Sequence, residues 1–236
     1  MLSKPIPNSY WVIPGLLLAG EYPRNPDEPS SIGKLQALID AGITLFIDLT
    51  TPADGLISYR SLLQRINASA EHHSFPIPDV SIPQSSETTA KVLDLLDQTM
   101  SIGRGVYLHC WGGVGRTGTI VGCWLARHGL SGTMALETLG SLWRHCPKSR
   151  FRQSPETDQQ RRYILNWQES EQKHAENTLS KIISHPKKMA QKDRALIIVK
   201  IKQSDLKFKK RKIENYKKYA SPRLLGQKRT MRIREL

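Results

Sequence analysis

Apolar positions along the first 170 residues follow two rhythms. Short dense runs lie at Trp11–Ala19, Ile43–Leu49, near His73–Phe75 and at Val106–His109. They are too brief for helices and are read as strands. The first is interrupted by Pro14-Gly15 and predicts one or two short strands around a turn. Longer stretches carry helical spacing. Thr88–Met100 places Val92, Leu93, Leu95, Leu96 and Met100 on one face, and Ser131–His145 does the same with Ala135, Leu136, Leu139, Leu142 and Trp143. Ser30 or Ser31 is the predicted cap of a helix running to Ala41, stopped by Gly42. Tyr59–Asn67 and Thr117–His128 are further helices. Ser154 as N-cap and Pro155 at the first helical position predict a last helix to Glu169 that buries Tyr163, Ile164 and Trp167. Strands alternating with helices predict an α/β fold: a central, mainly parallel sheet flanked by helices. No internal repeat is visible.

One junction carries chemistry. The strand Val106-Tyr107-Leu108 runs into His109-Cys110-Trp111-Gly112-Gly113-Val114-Gly115-Arg116-Thr117-Gly118, and a helical pattern follows. A strand, a glycine-rich turn and a helix start form an anion cradle, because glycines let successive N–H groups point inward and the helix start adds its positive end. The backbone of Trp111, Gly112, Gly113, Val114 and Gly115 makes the bowl. Cys110 opens it and Arg116 closes it. An ordinary thiol is only about 3% thiolate at pH 7. Inward amides, the helix end and the guanidinium all favour the anion, so Cys110 is a candidate nucleophile. Arg116 suits a tetrahedral dianion because its planar fork makes two parallel hydrogen bonds. Thr117 is placed to donate its hydroxyl to the sulfur as it leaves, and His109 to orient the turn from behind. The implied reaction is attack on phosphorus, a cysteinyl-phosphate, then hydrolysis. No metal or cofactor is called for, since the cradle and arginine supply the positive charge.

The same six-residue spacing recurs at Cys146 and Arg152, in Cys-Pro-Lys-Ser-Arg-Phe-Arg. That segment has no glycine, and Pro147 lacks an N–H. It is read as a polar helix exit. Cys123, on the helix after the cradle, is read as a small core residue in preference to a disulfide partner for Cys110.

His109–Gly118 resembles the signature of the cysteine-dependent protein tyrosine and dual-specificity phosphatase superfamily. The match is best with its compact dual-specificity branch, bacterial members especially. Resemblance extends from about Trp11 to Trp167, and Ser154–Gln160 is similar to a segment of those members. It implies a general acid in a loop upstream of the cysteine. Phe75-Pro76-Ile77-Pro78-Asp79-Val80-Ser81-Ile82-Pro83 fits, and Asp79 is its acidic residue. One carboxyl there can serve as acid in the first step and base in the second. Asp48, at the end of the strand Leu45-Phe46-Ile47, is the runner-up for that acid, but it is read, like Asp54, as a loop anchor. The resemblance also raises Gln160 or Gln159 as a residue that positions the attacking water, against the plainer reading of polar residues at a helix start. The expected substrates are phosphoproteins, phosphotyrosine first and phosphoserine or phosphothreonine after it. The alternatives are an RNA 5′-phosphate, a phosphoinositide, or a phosphate reader without turnover. The absence of lysine from the cradle argues against a highly charged headgroup.

Charge divides the chain. Residues 1–170 hold 15 Lys+Arg and 15 Asp+Glu, whereas residues 171–236 hold 20 and 6, so the whole excess of 14 lies in the tail. The expected organisation is a phosphatase domain over 1–170 and a basic, partly disordered extension over 171–236. Such an extension suits nucleic acid, acidic proteins or an anionic surface. Three cysteines cannot make a secreted-type framework, a thiolate enzyme favours a reducing compartment, and no signal peptide or transmembrane-length run is evident. The expected location is the cytoplasm.

Overall fold

The computed structural model describes residues 3–168. The basic extension, 171–236, and what was expected of it lie outside them. Five strands form one sheet: β1 (Ser9–Ile13), β2 (Leu17–Gly20), β3 (Ile43–Asp48), β4 (Glu71–Ser74) and β5 (Gly105–His109). Their spatial order is β1-β2-β5-β3-β4. Only the β1–β2 hairpin is antiparallel, turning at Pro14-Gly15; β2, β5, β3 and β4 run parallel. Among the described residues six α-helices accompany the sheet: α1 (Glu28–Asp40), α2 (Arg60–Ile66), α3 (Ser86–Ser101), α4 (Gly115–Arg127), α5 (Gly132–Trp143) and α6 (Asp158–Leu165). The expected α/β layering is what forms.

Period-two alternation sorts the strand side chains to two faces. Leu45, Ile47, Val106 and Leu108 meet Val92, Leu96, Ile120, Leu139 and Ile164 on one side. Phe46 and Tyr107 meet Leu35, Leu38, Leu62 and Leu63 on the other. Each large side chain so buried contributes about 2 kcal/mol, which is why both layers hold to the sheet. Cys123 is buried in the first cluster, and all three cysteines are free.

Two helix starts differ from expectation. α1 begins earlier than Ser30 or Ser31: Asp27 caps it, its Oδ1 accepting from the Ser30 N–H at 2.9 Å, while the Ser31 hydroxyl turns back to Asn25 and Asp27 carbonyls. α6 begins later than Pro155. The Ser154 hydroxyl donates to the Val114 carbonyl at 2.7 Å and lies against Gly118 of α4. Thr157 caps instead, its hydroxyl accepting from Gln160 N–H while the Gln160 side chain accepts from the Thr157 N–H. The helix ends at Leu165, and of the three expected core residues only Ile164 is buried; Tyr163 and Trp167 are half-buried.

The parallel strands settle where function can sit. Chains leaving the carboxyl ends of β2, β3, β4 and β5 emerge along one edge of the sheet, and in such sheets that edge is where ligands bind. It gathers residues 21–25, 49–58, 75–83 and 110–116.

Candidate active site

The cradle follows β5 and opens directly into α4. Gly113 adopts φ +73°, and a Cβ there would collide with the backbone of Gly20 and Glu21, so the turn can be this tight only with glycine. The Trp111 carbonyl accepts from Tyr22 N–H at 2.9 Å, tying the loop to the end of β2. Cys110 is buried at the base of a cavity of about 630 Å³. Trp111, Gly112, Val114, Gly115, Arg116 and Asp79 share that cavity, and the Trp111 side chain stands 55% exposed at its rim.

Arg116 is almost wholly buried, yet its guanidinium is heavily engaged. Nη1 and Nη2 donate to the two carboxylate oxygens of Asp54, each at 2.8 Å. Nη1 also donates to the Ile77 carbonyl at 3.1 Å, and Nη2 pairs with Asp79 Oδ1 at 2.9 Å. Burial opposes the arginine's charge, but Asp54 outweighs it and holds the pKa above the ordinary value. Asp54 answers in kind: burial would raise its carboxyl, but Arg116 and the Thr51 N–H hold it below the usual range. Asp54 does anchor its loop, accepting from Thr51 N–H and hydroxyl. The larger finding is its grip on Arg116, which no local signal around Pro52-Ala53-Asp54-Gly55 announced.

Two buried donors in this neighbourhood, Arg116 Nε and the Thr117 hydroxyl, have no hydrogen-bond partner among the described residues. Leaving such a group unpaired costs about 1–3 kcal/mol, so each calls for an acceptor. An oxyanion or a thiolate supplies one.

Asp79 sits at the tip of a turn closed by Ser81 N–H to the Pro78 carbonyl at 3.2 Å. Its side chain is half exposed, and Val80 beside it takes φ +50°, a conformation unfavourable to a β-branched residue. Ile77 N–H bonds Leu49 O on one side of the turn, and Gln160 Nε2 donates to Ser81 O at 2.9 Å on the other. Gln160 is buried, and its Oε1 accepts from Glu156 and Thr157 N–H groups. Its amide is thus committed to holding α6 against the Asp79 turn.

Behind the cradle lies a polar chain in the core. His109 Nδ1 faces two acceptors, the Cys110 carbonyl at 3.4 Å and Asp48 Oδ1 at 3.9 Å, so Nδ1 carries the proton. Nε2 is then bare and accepts from the Tyr59 hydroxyl at 2.7 Å. Burial pushes His109 down to about 4, keeping it neutral. Burial also opposes charge on Asp48, but His72, His109 and Thr50 outweigh it and hold its carboxyl at about 2. Asp48 anchors its loop through Thr50. Among the described residues no group of three or more His, Cys, Asp or Glu side chains converges as a metal site.

The segment 146–152, expected to be a bland helix exit, also reaches the cavity. Lys148 and Arg152 line it, with Glu21, Arg24 and Lys34.

A family model, "Swiss Army Knife protein, DSP-PTPase phosphatase domain", matches residues 7–179. This chain belongs to the dual-specificity and tyrosine phosphatase family. Among curated members it is 34% identical over 98 residues to putative tyrosine phosphatase 067L of Invertebrate iridescent virus 3, covering 39% of this chain and 38% of that protein. It is 37% identical over 62 residues to mouse dual specificity protein phosphatase CDC14B, covering 26% of this chain and 12% of that one. The chain therefore spans well under half the length of these relatives. Solved members share the fold. Kinase associated phosphatase, crystallised with its catalytic-site cysteine replaced by serine, has TM-score 0.53 and 18% identity, over 63% of this chain and 83% of that one. The catalytic core of the PP-IP phosphatase SIW14 from S. cerevisiae has TM-score 0.52 and 16% identity, over 74% and 95%. No helix among the described residues is long and apolar enough to cross a membrane.

Proposed function

We propose that this chain hydrolyses phosphate monoesters through a cysteinyl-phosphate intermediate. Cys110 Sγ, as thiolate, attacks phosphorus while the ester P–O bond breaks, and Asp79 gives its proton to the leaving oxygen. Asp79, now a carboxylate, takes a proton from water; the water oxygen bonds phosphorus, the S–P bond breaks, and inorganic phosphate leaves. Arg116 clamps the equatorial oxygens, and Thr117 donates to the departing sulfur. His109 orients the Cys110 carbonyl and so the start of the bowl. The observation that carries this reading is the meeting of Cys110 and Arg116, from the cradle, with Asp79, from the loop after β4, around one cavity.

Phosphoproteins, phosphotyrosine first, fit the apolar part of the wall, where Tyr22, Leu56, Ile57 and Trp111 can flank an aromatic ring. A second reading, a small multiply phosphorylated substrate, is favoured by the cations on the remaining wall. The nucleic-acid or acidic partner proposed for the basic extension lies outside the described residues. The test is phosphate release from an aryl phosphate, a phosphotyrosine peptide, a phosphoserine peptide, an inositol phosphate and a 5′-phosphorylated RNA. Cys110→Ser should abolish turnover and keep oxyanion binding. Ordinary turnover by that variant would remove Cys110 from the mechanism.

A further inference from the structure

The charges lining the cavity exceed what one phosphate needs. Besides Arg116 they include Arg24, Lys34, Lys148 and Arg152, against the carboxylates Glu21, Asp79 and Glu156. Glu21 serves two ammonium groups at once, Lys34 at 2.9 Å and Lys148 at 2.7 Å, so that cluster keeps a positive surplus. Lys148 Nζ also donates to the Gly112 carbonyl at 3.1 Å, which brings an ammonium to the edge of the cradle. Arg152 pairs through Nη2 with Glu156, while its Nη1 lies 3.8 Å from where a Cβ on Gly112 would stand. Arg24 donates through Nη1 to the Ser58 carbonyl at 2.6 Å; among the described residues its Nε has no partner and no carboxylate pairs with it. The lysine missing from the cradle sequence is thus supplied from the segment after α5.

We propose that Lys148, Arg152 and Arg24 form a second anion subsite beside the cradle, and that this subsite selects the second of the two substrate readings above, a small molecule bearing a second phosphate close to the one removed. The cleaved phosphate rests on the reading of Cys110 given above; the second subsite does not. A volume of about 630 Å³ lies within the roughly 300–1,000 Å³ that enclose a drug-sized ligand, so one phosphate fills only part of it. Lys148 and Arg152 both adjoin Gly112, so the two anions sit within a side chain's reach of each other. Vicinal phosphates on one compact scaffold meet that spacing. A peptide sets same-face side chains about 7 Å apart along its backbone and must order two flexible phosphorylated stems. Guanidinium and ammonium groups already held by Glu21, Glu156 and Ser58 lose little freedom when the second phosphate arrives.

The experiment uses the full chain and two probe pairs: inositol carrying one phosphate or two vicinal phosphates, and a phosphotyrosine peptide with or without a nearby phosphothreonine. Binding is titrated calorimetrically with Cys110→Ser, and phosphate release is measured with the cysteine intact. The bisphosphate should be preferred over the monophosphate by about tenfold or more in both measurements, the worth of one charge-assisted contact. Arg152→Gln and Lys148→Met should each collapse that ratio. Equal loss on both inositol probes, leaving the ratio intact, would make the two residues merely structural and overturn the subsite. A gain confined to the doubly phosphorylated peptide would overturn the compact-substrate assignment. Preferential binding with no phosphate release from any ester would sink the catalytic reading while the subsite stood. Release with a ratio near one would do the reverse.

Discussion

Asp54 holds both terminal nitrogens of Arg116, one carboxylate oxygen to each at 2.8 Å. The pair is deeply buried, with side chains 2% and 1% exposed. A buried guanidinium has few rotamers that keep its charge satisfied, so Asp54 sets the plane in which Arg116 meets an oxyanion. It is a positioning residue. Asp54→Asn should lower kcat/KM by about 10- to 100-fold, mostly through weaker oxyanion binding, and cost about 3 kcal/mol of stability by leaving a buried cation short of its partner. Tungstate inhibition and urea unfolding measured side by side check this; stability lost with inhibition unchanged would reduce Asp54 to a structural role.

Asp79 touches the same guanidinium, and this relation predicts two opposite effects of one substitution. Its carboxylate occupies Arg116 Nη2 at 2.9 Å, so an incoming oxyanion must compete with it. Asp79→Asn should slow turnover of poor leaving groups by about 10²- to 10⁴-fold, since the proton donor is gone. The same variant should bind tungstate more tightly by up to about fivefold, the worth of one half-exposed ion pair. Slower turnover with weaker anion binding would speak for general disruption of the turn.

His109 gives the protein an acid sensitivity whose sign follows from its burial. In the unfolded chain its imidazole titrates near 6.5, and in the fold burial lowers it to about 4. Between those values the unfolded state binds the extra proton. Stability is therefore complete above about pH 6.5 and declines as pH falls toward 4, by up to about 3 kcal/mol. Asp48, held at about 2 in the fold, adds a further loss only below about pH 4. Thermal unfolding midpoints from pH 7.5 to 4.5 should fall, and His109→Gln should flatten that part of the curve. An unchanged slope in the variant would place the acid sensitivity elsewhere.

What the sequence discloses divides along the range of the interactions. The cradle is legible because Val106 through Gly118 holds a strand, a turn and a helix start in consecutive residues. Asp79 stands out because the family resemblance points to a loop upstream of the cysteine, and Asp79 is the acidic residue of the proline-framed loop there. The hold of Asp54 on Arg116 is not legible, since those residues stand 62 positions apart and meet only because β3 and β5 are parallel neighbours. The same holds for the segment from Cys146 to Arg152: its sequence reads as a polar helix exit, yet Lys148 Nζ donates to the Gly112 carbonyl and Arg152 lines the same cavity. The start of α6 is not legible either: Ser154-Pro155 predicts it at Pro155, and it forms at Asp158. The Ser154 side chain is turned to the carbonyl of Val114 at the start of α4, and Thr157 supplies the cap. Tertiary contact decided it.

Gly122 shows that small residues in α4 serve packing as well as the cradle. Its missing side chain faces Ile164 of α6, and an added Cβ would press against that residue's Cδ1, Cγ1 and Cγ2. Ile164 is fully buried, so it cannot swing into solvent. Two effects then oppose each other in Gly122→Ala. Alanine in a helix interior gains about 0.5–1 kcal/mol over glycine, and overpacking a close contact costs about 1–3 kcal/mol. The second should win, giving a net loss. Removing the obstacle should reverse the sign. Ile164→Ala alone costs about 2–5 kcal/mol, but in that background Gly122→Ala should become stabilising, because only the helix preference is left to act. Urea midpoints for the two single variants and the double variant decide the matter. If Gly122→Ala costs the same with isoleucine or alanine at position 164, the α4–α6 contact is not what requires glycine there.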